Sequence, residues 1–184
     1  MKVLVRVFGG LVALWVALLL VGFVLPGHYR VERSTLVSAG PQGIYPLVSD
    51  LRAWSRWGVW FERDPAMKIS YSPVTDEVGS WSSWTSKSQG DGKMTITLAR
   101  PSEAFEYRMD FADMGMVARG SMGLAAAPGG ATRVTMTMEG DLGRSPVNRW
   151  FGLFMDRMIG PDFEGGLANL KRLAESPGSR PGAR

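Results

Sequence analysis

The apolar and polar positions divide the chain into stretches with different periods. From Val7 to Pro26 the run VFGGLVALWVALLLVGFVLP carries no charge. A helix over this run is about 30 Å long, the thickness of a bilayer's hydrocarbon core. From Tyr29 onward the dominant spacing is two, as half-buried strands require. Tyr29 to Ser38 alternates loosely, and Met67 to Ser72 and Gly79 to Lys87 are further strand candidates. Met94, Ile96 and Leu98 share one face of the next strand, and Phe105, Tyr107, Met109 and Phe111 share one face of another. Met116 to Leu124 and Thr132 to Glu139 complete the set, with Val134, Met136 and Met138 alternating on the last. Asp64-Pro65, Gly90-Asp91-Gly92 and Pro128-Gly129-Gly130 mark turns between them. Two short helices interrupt the strands: one opens at Pro41 with Ile44, Tyr45, Leu47 and Val48, and one covers Leu51 to Trp57.

At Ser145 the period changes to 3.6. Ser145-Pro146 supplies a capping hydroxyl followed by proline at the first helical position. Val147, Trp150, Phe151, Phe154, Met155 and Met158 then recur at three and four, which predicts an amphipathic helix with Trp150 or Phe151, Phe154 and Met158 against the sheet. Gly160-Pro161 predicts a bend or short break, because proline lacks the donor and crowds the preceding turn. Phe163, Leu167, Leu170 and Leu173 continue the period beyond it. The order predicts an α+β domain in which a long C-terminal helix covers the apolar face of an antiparallel sheet.

The domain limits follow: residues 1–28 as an N-terminal transmembrane anchor, 29–175 as the folded domain, and the Pro/Gly-rich 176–184 as a disordered tail. A cleaved signal peptide competes with the anchor. The apolar stretch is longer than a usual h-region, however, and Phe23-Val24-Leu25-Pro26-Gly27 offers no A-x-A site. Lys2 and Arg6 precede the span and Arg30 and Arg33 follow it, a bias toward a cytoplasmic N-terminus and an extracytoplasmic domain in the cell membrane.

Composition narrows the chemistry. The chain has 184 residues, no cysteine, one histidine (His28) and a net charge of +4. That excludes disulfides, thiol nucleophiles and Cys-based zinc sites, and leaves little room for histidine acid/base work. No basic stripe suggests nucleic acid, and no motif calls for a cofactor or metal. Gly9-Gly10 and the Gly90-Asp91-Gly92 turn lack the strand–helix context of a phosphate loop. Asp162 and Glu164 are a candidate acid/base pair; at the first turn of a helix restarted after Pro161 they serve the macrodipole. Glu106, Arg108 and Asp110 read as a solvated strand face. No catalytic set emerges.

Several segments resemble a known family. Trp54-Ser-Arg-Trp57 followed by Asp64-Pro65, Gly90-Asp-Gly-Lys-Met-Thr-Ile-Thr97, the closing strands at Gly115–Gly123 and Thr132–Gly140, and Met158-Ile-Gly-Pro-Asp-Phe-Glu-Gly-Gly-Leu-Ala-Asn-Leu-Lys171 occur in its order. Together they resemble the helix-grip fold of the START-like superfamily, in particular its polyketide cyclase/dehydrase and lipid transport branch, the SRPBCC proteins. Pro161 departs from that pattern. The resemblance implies a curved antiparallel sheet around the C-terminal helix, with an apolar cavity between them that takes lipids, polyketides or other hydrophobic molecules. The expected lining is Trp60, Trp84, Met94, Tyr107, Met136 and Met138, with Phe154 and Met158 from the helix. Plain core packing competes for each tryptophan and methionine. A cyclase or dehydratase would need a buried polar pair such as Tyr107 with a carboxylate. A protein-interaction module would have a filled core and an exposed apolar patch.

Overall fold

Seven antiparallel strands form one sheet in the order β1-β7-β6-β5-β4-β3-β2. The computed structural model describes residues 2–112 and 115–176, so residues 177–184 of the expected tail lie outside the described residues. Helix α1 (Lys2–Val24) precedes β1 (His28–Val37), with only Leu25-Pro26-Gly27 between them. Its segment Arg6–Val24 is long and apolar enough to cross a membrane. Helix α2 (Pro41–Ser49), a 3₁₀ turn at Ala53–Arg56 and helix α3 (Val59–Arg63) follow. Then come β2 (Lys68–Tyr71), β3 (Trp81–Thr85), β4 (Gly92–Arg100), β5 (Ala104–Phe111), β6 (Met116–Ala127) and β7 (Ala131–Asp141). Helix α4 (Pro146–Glu175) closes the chain. Each strand from β2 to β7 pairs with its sequence neighbour, and β1 closes the edge beside β7, the order that hairpin connections generate.

Period two holds along most strands. Val134, Met136 and Met138 are all buried on β7, and Phe105 and Tyr107 are fully buried on β5. Strand β4 departs from the simple alternation. Its pairing with β5 slips between Ile96 and Leu98, so a bulge at Thr97 moves Leu98 off the Met94–Ile96 face and turns Ala99 toward the core. The second short helix is also shorter than its apolar run: Leu51 to Trp57 contains one 3₁₀ turn, and α3 forms separately after Gly58.

Helix α4 is continuous. The break expected at Gly160-Pro161 is absent, and helical structure runs from Pro146 to Glu175. Ser145 caps its start, accepting from the Asn148 N–H. Gly160 lies where the helix crosses β1. A side chain there would collide with the Arg33 guanidinium, which reaches across to Asp156 (2.8 Å) and Glu164 (2.7 Å).

Continuity decides which face packs. Phe154 and Phe163 are nine residues apart, two and a half helical turns, and so point in opposite directions. Phe163, Leu167, Leu170 and Ala174 are buried in the core. Phe154 is 54% exposed and Met158 64% exposed, contrary to the sequence expectation that this stripe lies on the sheet. An unbroken helix turns Phe151, Met155 and Ile159 to the same side as Phe163 and leaves Phe154 on the opposite one.

Candidate functional site

The strand register arranges the inward side chains in rows across the sheet. Ile69, Trp84, Gly92, Phe111 and Met116 form the row at the rim. Tyr71, Ser82, Met94, Met109, Ala118, Gly140 and Tyr29 form the next. Ile96, Tyr107, Gly120, Met138 and Val31 lie one step deeper. The Arg33, Met136, Met122 and Phe105 row comes after that, one pleat further from the rim.

A cavity of about 620 Å³ occupies the space above the first rows, on the concave side of the sheet. Trp60, Trp84, Met94, Tyr107, Met138 and Met158 line it. Met136 and Phe154 do not. Met136 is fully buried in the deeper row, and Phe154 faces away from the sheet. The lining also includes residues outside the expected set: Tyr29 and Met109 from the sheet, and Phe151, Met155 and Ile159 from α4, of which the sequence pattern already turns Met109 and Met155 inward. Spacings of three and four put Asn148, Phe151, Met155, Ile159 and Asp162 on one line of the helix, and all of them line the cavity. Met109 and Met155 already stand on apolar stripes in the sequence. A more open hollow of about 410 Å³ sits at the rim around Gly92, Asp110 and Val117.

Glycines keep this cavity open. Trp84 lies over Gly92, Tyr107 over Gly120 and Tyr29 over Gly140, each on the adjacent strand of its row. A Cβ at Gly140 would stand 2.6 Å from the Tyr29 ring. With hydrogen in its place, each aromatic ring lies down on the sheet instead of standing into the space above it.

The tryptophans at spacing three have distinct duties. Trp54 and Trp57 are buried, and their indole N–H groups donate to the Val48 and Leu47 carbonyls, both at 2.8 Å. They thereby satisfy the C-terminal end of α2; Trp57 belongs to the core, and Trp54 also borders the cavity. Trp60 donates to Asp162 on α4 at 3.0 Å and reaches the cavity as well. Asp64 of the Asp-Pro turn accepts from the Ala66 N–H and the Ser86 and Ser88 hydroxyls, tying this segment to the β3–β4 loop.

The wall is mostly apolar, with Ser82, Gln89, Asp141, Asn148 and Asp162 as its polar side chains beside the tyrosines; Glu164 lies outside it. Asp162 is held by Trp60 and by both guanidinium nitrogens of Arg63. Glu164 binds Arg33. The two carboxylates sit mid-helix and pair with separate cations, so neither serves a helix N-terminus as expected from the sequence. The Tyr107 hydroxyl is buried with no hydrogen-bond partner among the described residues. Desolvation pushes its ionisation well above the usual phenol range, so it stays protonated and can donate. Trp54 packs edge-on against the Tyr107 ring at 5.2 Å.

A curved sheet gripping a C-terminal helix, with an apolar cavity between them, defines the helix-grip class. The chain belongs to the polyketide cyclase / dehydrase and lipid transport family, whose model matches residues 28–175. Solved structures share the fold at low identity. A Chromobacterium violaceum protein, CV1439, is 19% identical with a TM-score of 0.57, over 83% of this chain and 99% of that one. A Thermobifida fusca protein is 17% identical with a TM-score of 0.62, over 79% and 92%. Truncated norcoclaurine synthase from Thalictrum flavum is 12% identical with a TM-score of 0.59, over 81% and 94%. No curated protein matches the chain.

Proposed function

We propose that the domain binds a hydrophobic small molecule or lipid in the concave cavity, and that α1 anchors it in the cell membrane with the domain outside. The observation that carries the ligand reading is the cavity: about 620 Å³, walled by aromatic rings and methionines. That volume lies in the ordinary range for small-molecule sites, which are mostly apolar with a few polar groups that set orientation. Ser82, Gln89 and Asn148 supply such groups in the wall, while the Tyr107 ring contributes apolar surface with its hydroxyl buried against the sheet. Thioethers of Met94, Met109, Met138 and Met155 adapt the wall to guests of different shape.

A cyclase or dehydratase would need a base or acid paired with Tyr107. Two carboxylates stand in the wall: Asp162 is committed to Trp60 and Arg63, and Asp141 accepts from the Gly143 N–H; neither is bonded to Tyr107. The reading is therefore binding, not turnover. The test uses the fragment from His28 onward, first shown by circular dichroism to unfold cooperatively. An environment-sensitive apolar dye should bind it, and Met138→Trp, which fills the lining, should weaken binding by more than tenfold with the fold intact. Equal binding by wild type and variant would remove the cavity from the account.

A further inference from the structure

The N-terminal half of α4 carries apolar surface that the fold leaves uncovered. Val147, Phe151, Leu153, Phe154 and Met158 are each between 42% and 64% exposed. Val147, Phe151, Phe154 and Met158 follow at four, three and four and form one strip that borders the cavity at Phe151 and Met158, while Leu153 lies round the helix on the Trp150 side. Such strips mark contact with a partner or a membrane.

Helix α1 indicates which. It packs against this half of α4 and no other helix to comparable extent. The Trp150 indole donates to the Leu18 carbonyl at 3.0 Å. Arg149 donates to the Phe23 and Leu25 carbonyls at 2.8 and 3.2 Å, closing the end of α1. Pro146 sits against Gly22, where a Cβ would come within 2.7 Å of it. Leu18 precedes Val24 by six residues, about 9 Å along the helix. That is within the roughly 5–10 Å to which an interfacial helix buries its apolar face. If α1 spans a bilayer, Trp150 is held just below its headgroup layer, and the exposed strip extends from there.

Strand polarity agrees. β1 begins three residues after α1, at the same end of the sheet as the rim row Trp84, Phe111 and Met116. The cavity's rim and the membrane exit are thus at one end of the domain. Charge fits as well: Arg157 is exposed on this segment and Arg144 just before it, while Asp156 is engaged by Arg33. The surplus is positive, as lipid phosphates favour.

We propose that Pro146–Ile159 is a membrane-docking helix lying at the headgroup–acyl boundary beside α1, which sets the cavity mouth against the bilayer. The proposal rests on the anchor and ligand readings above and adds a source for the guest: a lipid-soluble molecule taken up from the membrane, not from water.

The chain has no cysteine, so single labels are direct. Full-length Phe154→Cys, Val12→Cys and Leu36→Cys proteins carry the fluorophore NBD and are reconstituted in phosphatidylcholine–phosphatidylglycerol vesicles containing doxyl-labelled lipid. Position 36 is exposed on β1 at the end remote from the membrane exit. The proposal predicts blue-shifted emission and strong lipid quenching at 154, as at 12, with neither at 36. Quenching at 12 but water-like emission at 154 overturns the docking helix and leaves the anchor standing. Lack of quenching at both sites overturns the anchor reading with it. A blue shift at 154 without lipid quenching means a second copy of the chain covers the strip, and the proposal fails.

Discussion

The glycine under Tyr107 makes a quantitative claim about how the cavity is kept. Gly120 has ordinary strand backbone, so alanine is conformationally acceptable there; only the Tyr107 ring stands where a methyl group would go. That ring cannot shift cheaply. It is fully buried and packed between Trp54 at 5.2 Å and Phe105 at 5.8 Å. Overpacking of this kind costs about 1–3 kcal/mol. Replacing a strand glycine by alanine otherwise gains about 0.5–1 kcal/mol through the unfolded chain. Gly120→Ala should therefore destabilise the domain by about 1–2 kcal/mol. With a urea slope of about 2 kcal/mol per molar, the midpoint falls by roughly 0.5–1 M. In a Tyr107→Leu background the obstacle is gone, and the same substitution should be neutral or stabilising by about 0.5 kcal/mol. The cycle thus predicts a coupling of about 2 kcal/mol. Gly120→Ala with an unchanged midpoint in the wild-type background would refute the reasoning, because the ring would not be resting on the glycine.

Two further predictions concern α4 and its partners. Phe163→Ala should cost about 3–5 kcal/mol, as for a fully buried phenylalanine, whereas Phe154→Ala should change the urea midpoint of the detergent-solubilised protein little; equal losses would restore the sequence-based helix face. Acid should destabilise the domain because Arg33 holds Asp156, Arg108 holds Asp110 and Lys171 holds Glu175 below the usual carboxylate range. Carboxylates depressed in the folded state contribute stability above their unfolded values, and it is lost as pH falls through the folded ones. Unfolding midpoints should therefore be flat above about pH 5 and decline below about pH 4, with a shallower decline in Asp156→Asn; a decline of the same slope in that variant would contradict the assignment.

The sheet was legible because each strand buries one face, and period two then registers directly in residues such as Val134, Met136 and Met138. The α4 start was legible because Ser145-Pro146 is a local signal. What lay beyond reach depended on partners distant in the chain. Gly160-Pro161 reads as a break until Arg33 is seen filling the space beside Gly160, within a helix that remains continuous. Asp162 and Glu164 read as neighbours, yet Arg63 and Arg33 draw them to different sides. The bulge at Thr97 left no mark in the alternation of KMTITL. For the cavity, strand alternation located inward faces but not depth. Met136 and Met138 share a face, and only the cross-strand register shows that Met138 lines the space while Met136 lies a row below it. The apolar stripe of Phe154 was visible, but its direction followed from the unbroken helix.

The central claim is that the concave space holds an apolar guest. Native mass spectrometry of the full-length protein, released from detergent in the gas phase, tests it most directly. The account predicts a retained hydrophobic molecule near one per chain, lost in Met94→Trp/Met138→Trp while the protein keeps its folded charge-state distribution. A wild-type protein that arrives empty and also takes up no added lipid or apolar dye would contradict it.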